Sequence, residues 1–322
     1  MSTTQPSAPV RPGESLPDRL IGADLRGANL MGQDLSGRDL SGADLTGARL
    51  TGVNLQNAVL HEANLEGAQL LGADLSCADL SSARLASAQM GGAQLGGANL
   101  FGADATDATL SKVDAQGADL RRAVFHGARV READLRSADL GGASFYRADL
   151  TASRVAHASF HDVDLREAVL RDIDGYPDAD WVGCNIGHVD FTGAYLLRRE
   201  IVDQNYLHEF RNQSRGHALV YILWSASSNC GRSFARWALL NLFVAGVFSI
   251  LYAVGDIDFG GHQTLLSPLY FSVVTITTLG YGDVIPASGW AQVMVISEVI
   301  VGYVMLGGLM SIFANKMGRR GD

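Results

Sequence analysis

The 322-residue chain has few of the features that mark disulfide-rich, redox or catalytic proteins. Its three cysteines, Cys77, Cys184 and Cys230, are isolated, which excludes a disulfide framework and a CxxC redox motif. The sequence contains no cluster of metal ligands, no nucleotide-binding motif and no nucleophile–base pair, so we expect neither an enzyme nor a bound cofactor. Proline is scarce, and four of the seven prolines lie in residues 1–17, which we predict to be a disordered tail.

Positive charge is missing from one long segment, because no Lys or Arg occurs between Trp237 and Asn315. Residues 237–254 are uncharged and approach the roughly 20 residues that span a bilayer. Residues 291–314 form a second apolar stretch, which a single acid, Glu298, interrupts. The pattern predicts two membrane spans. It excludes steep voltage gating by an Arg-rich span, since neither span carries such charges.

Charged residues around the two spans predict their orientation. The flanking basic residues are Arg232 and Arg236 before the first span and Lys316, Arg319 and Arg320 after the second. Basic flanks stay in the cytoplasm, so we expect cytoplasmic N- and C-termini in the cell (inner) membrane. The charged residues in the connection between the spans are all acids, namely Asp256, Asp258 and Asp283. Facing outward, these acids would concentrate cations.

Between the spans, residues 267–277 are mainly apolar but too short to cross, and Thr278-Leu279-Gly280-Tyr281-Gly282 follows them. Glycine tolerates the left-handed backbone that lets successive carbonyls point towards one axis. Rings of such carbonyls replace the hydration shell of K⁺. The run matches the potassium-channel filter T-V-G-Y-G with one aliphatic exchange. Residues 233–320 therefore resemble the two-transmembrane pore module of prokaryotic potassium channels.

The resemblance implies a role for several residues. Residues 278–282 would form the selectivity filter, with K⁺ as the permeant ion bound at Thr278, Leu279, Gly280 and Tyr281. It makes Asp283 the acid of the outer mouth, Thr277 a hydroxyl facing the cavity and Gly302 the hinge of the inner helix. The chain departs from the family at Leu279, where Val is usual. It departs again at Val274, where some members have a Glu that pairs with the outer acid.

Three further expectations concern the assembled pore. One hairpin of two spans cannot shield its own filter from lipid, so we expect a homotetramer in the bilayer. Glu298 lies one helical turn before Gly302, and we predict that it turns inward and hydrogen-bonds near the pore helix. Met310, Phe313 and Ala314 are spaced to form a hydrophobic gate on the cytoplasmic side.

The N-terminal half of the chain has a period of five. From residue 25 to residue 170, 22 of 30 fifth positions are Leu, and 24 of the 30 positions two residues earlier are Ala. This period fits neither an α-helix nor a flat strand. It fits a coil that turns a corner every five residues, with Ala and Leu pointing inward. Four corners close one coil, and coils stack at the strand spacing of about 4.8 Å.

Runs such as Ala23-Asp24-Leu25 resemble the A-[D/N]-L-x-x signature of the pentapeptide-repeat family. The resemblance implies a right-handed quadrilateral β-helix, which we assign to residues 18–196. The register slips after Leu170, which predicts an extruded loop at 171–178. The repeat then resumes at Ala179-Asp180-Trp181 and continues through Ile186, Phe191 and Leu196. Residues 197–232 are predicted to be a helical linker with an interfacial segment, and 233–322 the pore domain.

The predicted fold is thus a pentapeptide-repeat β-helix followed by an α-helical two-transmembrane ion-channel pore domain. The function that it implies is passive, K⁺-selective conduction with a cytoplasmic repeat domain, without nucleic acid as a partner. The alternative is a membrane-tethered repeat rod that acts as a DNA mimic or scaffold. A tether does not need an intact filter at 278–282, which favours the channel. The gating stimulus, and whether the repeat domain binds a cytoplasmic partner, stay open.

Overall fold

The structure, a computed structural model, describes residues 20–318 except residues 256, 261–263, 278 and 283, and side chains only to residue 314 at the C-terminal end. The predicted tail, the filter residue Thr278 and the outer-mouth Asp283 lie outside the described residues. The chain divides into two compact units, Met1–His208 and Glu209–Asp322.

The first unit is a stack of coils in which each coil pairs with the next in parallel. Asp24 pairs with Asp44 and Asn29 with Arg49, so the repeat of the pairing is twenty residues. Every corner places one residue in the left-handed region, which is a glycine in many coils (Gly27, φ 61°) but also Asn57 (φ 57°). Four such corners per coil explain the period of five in the sequence.

Leu and Ala fill the interior of the β-helix, as predicted. The Leu positions, such as Leu45, and the Ala positions two residues earlier are almost completely buried. Residues twenty apart lie on the same side of adjacent coils, and the rings of Phe125 and Phe145 stack with centroids 4.6 Å apart. Gln33 and Arg38, which break the Ala pattern, are both exposed near the first coil.

The register slip is a one-residue insertion. Arg154 pairs with Asp174, twenty residues on, whereas Ser159 pairs with Asp180, twenty-one residues on. Asp174 still belongs to the ladder, so the extruded loop is shorter than the predicted 171–178, and it contains a 3₁₀ turn at Tyr176–Asp178.

The end of the β-helix differs from the prediction. Helix α1, Tyr195–Gln213, begins before the expected boundary at residue 196. Leu196 is therefore a half-exposed helical residue and not the last core position. Leu197 and Ile201 join the buried core instead. Gln204 closes the end of the ladder, because its side chain accepts from Trp181 N at 2.8 Å and donates to Ala179 O at 3.0 Å.

The second unit is helical. Helix α2, Arg215–Ser228, follows a break at Ser214, whose hydroxyl caps it. The remaining elements are α3 (Phe234–Val254), β1 (Ile257–Asp258), α4 (Ser267–Ile276), β2 (Ile285–Pro286) and α5 (Gly289–Gly318). Helix α3 and residues 289–314 of α5 are long and apolar enough to cross a membrane. Only 11% and 22% of their apolar windows are buried, unlike the core helices of a soluble protein.

Candidate ion-conducting site

The filter segment is attached to the C-terminal end of α4. Thr277 N donates to Val273 O at 3.1 Å, and the Thr277 hydroxyl donates to the same carbonyl at 2.6 Å. Leu279 N donates to Val274 O at 3.1 Å, which turns the chain back over the end of the helix. The segment is thereby fixed to a helix that is mainly apolar and has no charged residue.

Within the filter segment, Gly280 (φ 49°) and Gly282 (φ 74°) both have left-handed backbones. These are the two positions at which the T-V-G-Y-G pattern has glycine, and a side chain there would strain the backbone. The side chains of Leu279 and Tyr281 are mainly exposed, Tyr281 at 66%. One chain therefore leaves the filter segment uncovered.

A two-stranded contact closes the loop around the filter. Ile257 of β1 pairs with Pro286 of β2, and Asp258 pairs with Ile285, in antiparallel register. This pairing joins the chain that leaves α3 to the chain that leaves the filter. The small apolar cluster of the second unit, built around Tyr252, Phe271, Ala291 and Met294, supports it from within.

Gly302 lies where α5 crosses the end of α4. A Cβ at this residue would stand 2.6 Å from Ile276 O, so only glycine allows the two backbones to approach this closely. Helix α5 continues through Gly302 without interruption. Gly302 and Thr277 also line a cavity of about 430 Å³ between α3, α4 and α5. The hinge role stays a prediction. The close contact is a second reason for glycine, which the sequence analysis missed.

Glu298 points into the helical unit and is completely buried. Tyr252 of α3 donates its hydroxyl hydrogen to Oε2 at 2.5 Å. The Ser272 hydroxyl of α4 contacts Oε1 and also lies 2.9 Å from Ala245 O of α3. The acid therefore connects both long helices to the short one. Its partners could not be identified from the sequence, since Tyr252 lies 46 residues away.

The residues predicted to form the gate lie near the C-terminal end of α5. Met310, Phe313 and Ala314 are exposed in the single chain, while Ile312 between them is buried. An exposed apolar stripe is available to other copies of the chain or to lipid. Whether it constricts a pore stays a prediction.

The β-helix contains a buried acid of a different kind. The Asp134 side chain is 4% exposed. Arg136 donates to both of its oxygens at 2.9 and 2.8 Å, and Gln116 and Arg154 also donate to it. Burial raises the pKa of Asp134, but the hydrogen bonds and charges of the arginines outweigh it, and the net shift is downward from 3.8. Among the described residues, no group of three or more His, Cys, Asp or Glu could hold a metal ion.

Comparison with known families agrees with this two-part architecture. Overlapping runs within residues 19–174 match the pentapeptide repeats, in eight copies, and residues 237–319 match the ion channel family. The chain joins pentapeptide repeats to a domain of the ion channel family. The predicted fold class is thereby confirmed, with a β-helix before a helical region that contains two candidate membrane spans.

Individual relatives cover one part of the chain or the other. The voltage-gated potassium channel Kch of Escherichia coli is 26% identical over 137 residues, which are 42% of this chain and 26% of Kch. Two pore potassium channel b of rice (Oryza sativa subsp. japonica) is 46% identical over 79 residues, 24% of this chain and 23% of the rice protein. The chain thus spans about a quarter of the length of these curated relatives.

Among solved structures, the chain resembles HetL, a pentapeptide-repeat protein involved in heterocyst differentiation regulation in the cyanobacterium Nostoc. The identity is 32%, and the match covers 53% of this chain and 79% of HetL with a TM-score of 0.42.

Proposed function

We propose that the protein is a homotetrameric, K⁺-selective channel that conducts passively through the filter at residues 278–282. The observation that carries the proposal is the filter segment itself. It follows a short apolar helix, lies between two spanning helices, and has left-handed glycines at 280 and 282. Four copies around one axis would stack the carbonyl rings that replace the water around K⁺.

The exposed surfaces of the second unit support assembly in a membrane. Large apolar side chains on both long helices are uncovered in the single chain, among them Leu242, Phe243, Ile250, Ile296, Ile300 and Val304. Lipid and neighbouring subunits are the environments that accommodate such surfaces.

The orientation that we propose follows the basic flanks, with both termini and the repeat domain in the cytoplasm. In that orientation the end of α5 that carries Met310 and Phe313 lies on the cytoplasmic side. A gate there would close by dewetting. In sequence, α1 and α2 connect the repeat domain to the first span, so a partner that binds the repeat domain could act on the gate through these two helices.

The alternative, a tethered DNA mimic, would require a surface dominated by negative charge. Carboxylates on the described part of the β-helix are instead often paired with arginines, as in Asp119 with Arg121 and Asp164 with Arg166. The mixed surface favours the channel.

Ion flux into liposomes that contain the purified full-length chain tests the proposal. We expect K⁺ and Rb⁺ to enter along their gradients while Na⁺ is largely excluded. Gly280→Ala should reduce K⁺ flux at least about tenfold, because a Cβ in a left-handed backbone costs roughly 1–2 kcal/mol and displaces the carbonyls.

Gly246→Ala is the matched control. Gly246 lies in the middle of α3, and nothing stands within 4 Å of its Cβ position, so this variant should conduct like the parent. A flux that ignores a K⁺ gradient but follows a Na⁺ gradient would contradict the proposed selectivity. A flux that is equal in the Gly280→Ala variant would place the conduction path elsewhere.

A further inference from the structure

The buried contacts of Glu298 determine where hydrogen atoms must lie. Five oxygen atoms form a continuous chain: Tyr252 Oη, Glu298 Oε2 and Oε1, Ser272 Oγ and Ala245 O. These atoms belong to four residues, and three contacts join the residues to one another. Tyr252, Ser272 and Glu298 are completely buried, so water does not supply a missing partner at their surfaces.

Each of the three contacts needs one hydrogen. A tyrosine or serine hydroxyl has one hydrogen to donate, and a backbone carbonyl only accepts. Tyr252 supplies the hydrogen for its contact with Oε2, and Ser272 can supply one for Ala245 O at 2.9 Å. If Glu298 were a carboxylate, it would have no hydrogen to donate. Ser272 could then donate its one hydrogen to Oε1 or to Ala245 O, and the remaining contact would bring two acceptors together without a hydrogen.

We propose that Glu298 is a neutral carboxylic acid that donates its hydrogen to Ser272 Oγ and thereby braces the pore helix α4 against both α3 and α5. In this arrangement Oε1 carries the hydrogen, Ser272 passes its own to Ala245 O, and Tyr252 donates to Oε2. Every contact then has one donor and one acceptor. Glu298 is a positioning residue, since it acts on the filter through α4.

The described elements around Glu298 supply no compensating cation. Helix α4 has no charged residue, and Arg236 is the one charged residue in α3. Arg236 precedes Tyr252 by sixteen residues, or about 24 Å along the helix. In α5, Glu298 is the one charged residue among those with described side chains, and the other titratable side chain there is Tyr303. Beyond the helices, β1 contributes another acid, Asp258. An unpaired carboxylate at this depth would be costly, whereas a neutral acid is accommodated.

The brace has a consequence for the filter. Ser272 lies in the middle of α4, two residues before Val274, whose carbonyl holds Leu279 N. The side chain of Val274 is apolar and cannot form a polar contact with the acid of the outer mouth. A brace from Glu298 through Ser272 would fix the same helix. This consequence rests on the proposed channel function, but the protonation of Glu298 does not.

Infrared difference spectroscopy of the full-length chain in lipid tests the protonation directly. At neutral pH, the spectrum of the parent minus that of Glu298→Gln should contain the carbonyl band of a protonated carboxylic acid. Carboxylate bands in this difference spectrum, in place of the carboxylic-acid band, would overturn the proposal. The measurement needs no ion conduction, so it can fail while the channel function holds, and the reverse.

A pair of serine variants provides a second measurement that does not depend on the folding of Glu298→Gln. Ser272→Ala removes the acceptor of the acid hydrogen and should shift the carboxylic-acid band. Ser297→Ala is the control, because Ser297 is exposed and its hydroxyl donates to Val293 O of its own helix. A band that Ser272→Ala leaves in place would show that Ser272 is not the acceptor.

Ion flux then tests the positioning role. Glutamine offers an amide donor and a carbonyl acceptor in the same places, whereas leucine offers neither. We expect Glu298→Leu to lower K⁺ flux at least about tenfold relative to Glu298→Gln, because it leaves the Tyr252 and Ser272 hydroxyls without their partner. Equal fluxes would overturn the brace.

Discussion

Asp134 of the β-helix and Glu298 of the channel domain are both buried acids, and their surroundings differ in kind. Two arginines and Gln116 surround Asp134. Two hydroxyl groups reach Glu298, and no cation in the described part of the chain does. The arginines beside Asp134 keep their other faces in water, because Arg136 and Arg154 are 42% and 49% exposed.

The difference follows from what surrounds each unit. An arginine at the surface of the β-helix can pair with a buried acid while most of its charge stays hydrated. A cation at the middle of a spanning helix would have to leave water completely. A buried acid in the membrane is therefore matched by hydroxyl groups and a proton, whereas the same group in the β-helix is matched by charge.

The two interiors also differ in how closely their backbones approach. Side chains fill the β-helix, with the Leu and Ala positions at almost zero exposure. At the crossing of α4 and α5, by contrast, Gly302 has no side chain, which allows the two backbones to come into close contact. Substitutions should thus act through side-chain contacts in the first unit and through backbone displacement in the second.

The largest effect should come from Gly302→Ala. The added Cβ would stand 2.6 Å from Ile276 O and 3.1 Å from Ile276 Cα, so α4 or α5 must move. Because Ile276 lies two residues before Thr278, the filter moves too, and we expect K⁺ flux in liposomes to fall well over about tenfold, as for small misplacements at other functional sites.

Gly307→Ala is the control for this prediction, since nothing within the chain stands within 4 Å of a Cβ at Gly307. The two variants lose the same backbone freedom, so a hinge effect alone would affect both. Similar losses of flux in Gly302→Ala and Gly307→Ala would show that helix flexibility matters more than the close contact.

A smaller effect is expected from Asp134→Asn in the β-helix. The amide would direct a donor at the arginine donors, and we expect a loss of about 1–3 kcal/mol in the free energy of unfolding at neutral pH. Urea titrations of the full-length protein, followed by hydrogen exchange of peptides from the β-helix, can measure it. Asp104→Asn is the control, because Asp104 is exposed and accepts from Thr106.

The pH dependence of the same variant has a definite sign. The pKa of folded Asp134 is lower than its ordinary value of 3.8, so the unfolded chain binds the proton more tightly. The stabilisation is fully present above about pH 4 and is lost as the pH falls through the folded pKa. The difference between the parent and Asp134→Asn should therefore shrink below about pH 4. A difference that grows on acidification would contradict the assignment.

Periodic features of the chain were predictable from sequence, and contacts between distant residues were not. The Leu and Ala positions and the stacking of Phe125 on Phe145 follow from a period that the sequence displays. The end of the β-helix was misjudged because Leu196 and Leu197 are adjacent, and only the start of α1 decides which of them is buried. The lengths of the spans were clear from composition, but the partners of Glu298 depend on how three helices pack.

The smallest effect should come from an exposed ion pair of the β-helix. Arg84 and Glu66 approach to 3.4 Å with side chains 65% and 49% exposed. Exposed pairs contribute about 0–1 kcal/mol, so Arg84→Ala should change the free energy of unfolding by no more than about 0.5 kcal/mol.

Arg154→Ala is the variant for comparison, because it also removes one arginine from one carboxylate. That carboxylate belongs to the buried Asp134, so water cannot replace the lost arginine. We expect it to destabilise the β-helix by roughly 1 kcal/mol or more in the same urea titrations. Equal effects of the two variants would mean that burial of the acid does not decide the strength of the pair. The contrast between Asp134 and Glu298 would then have to rest on charge alone.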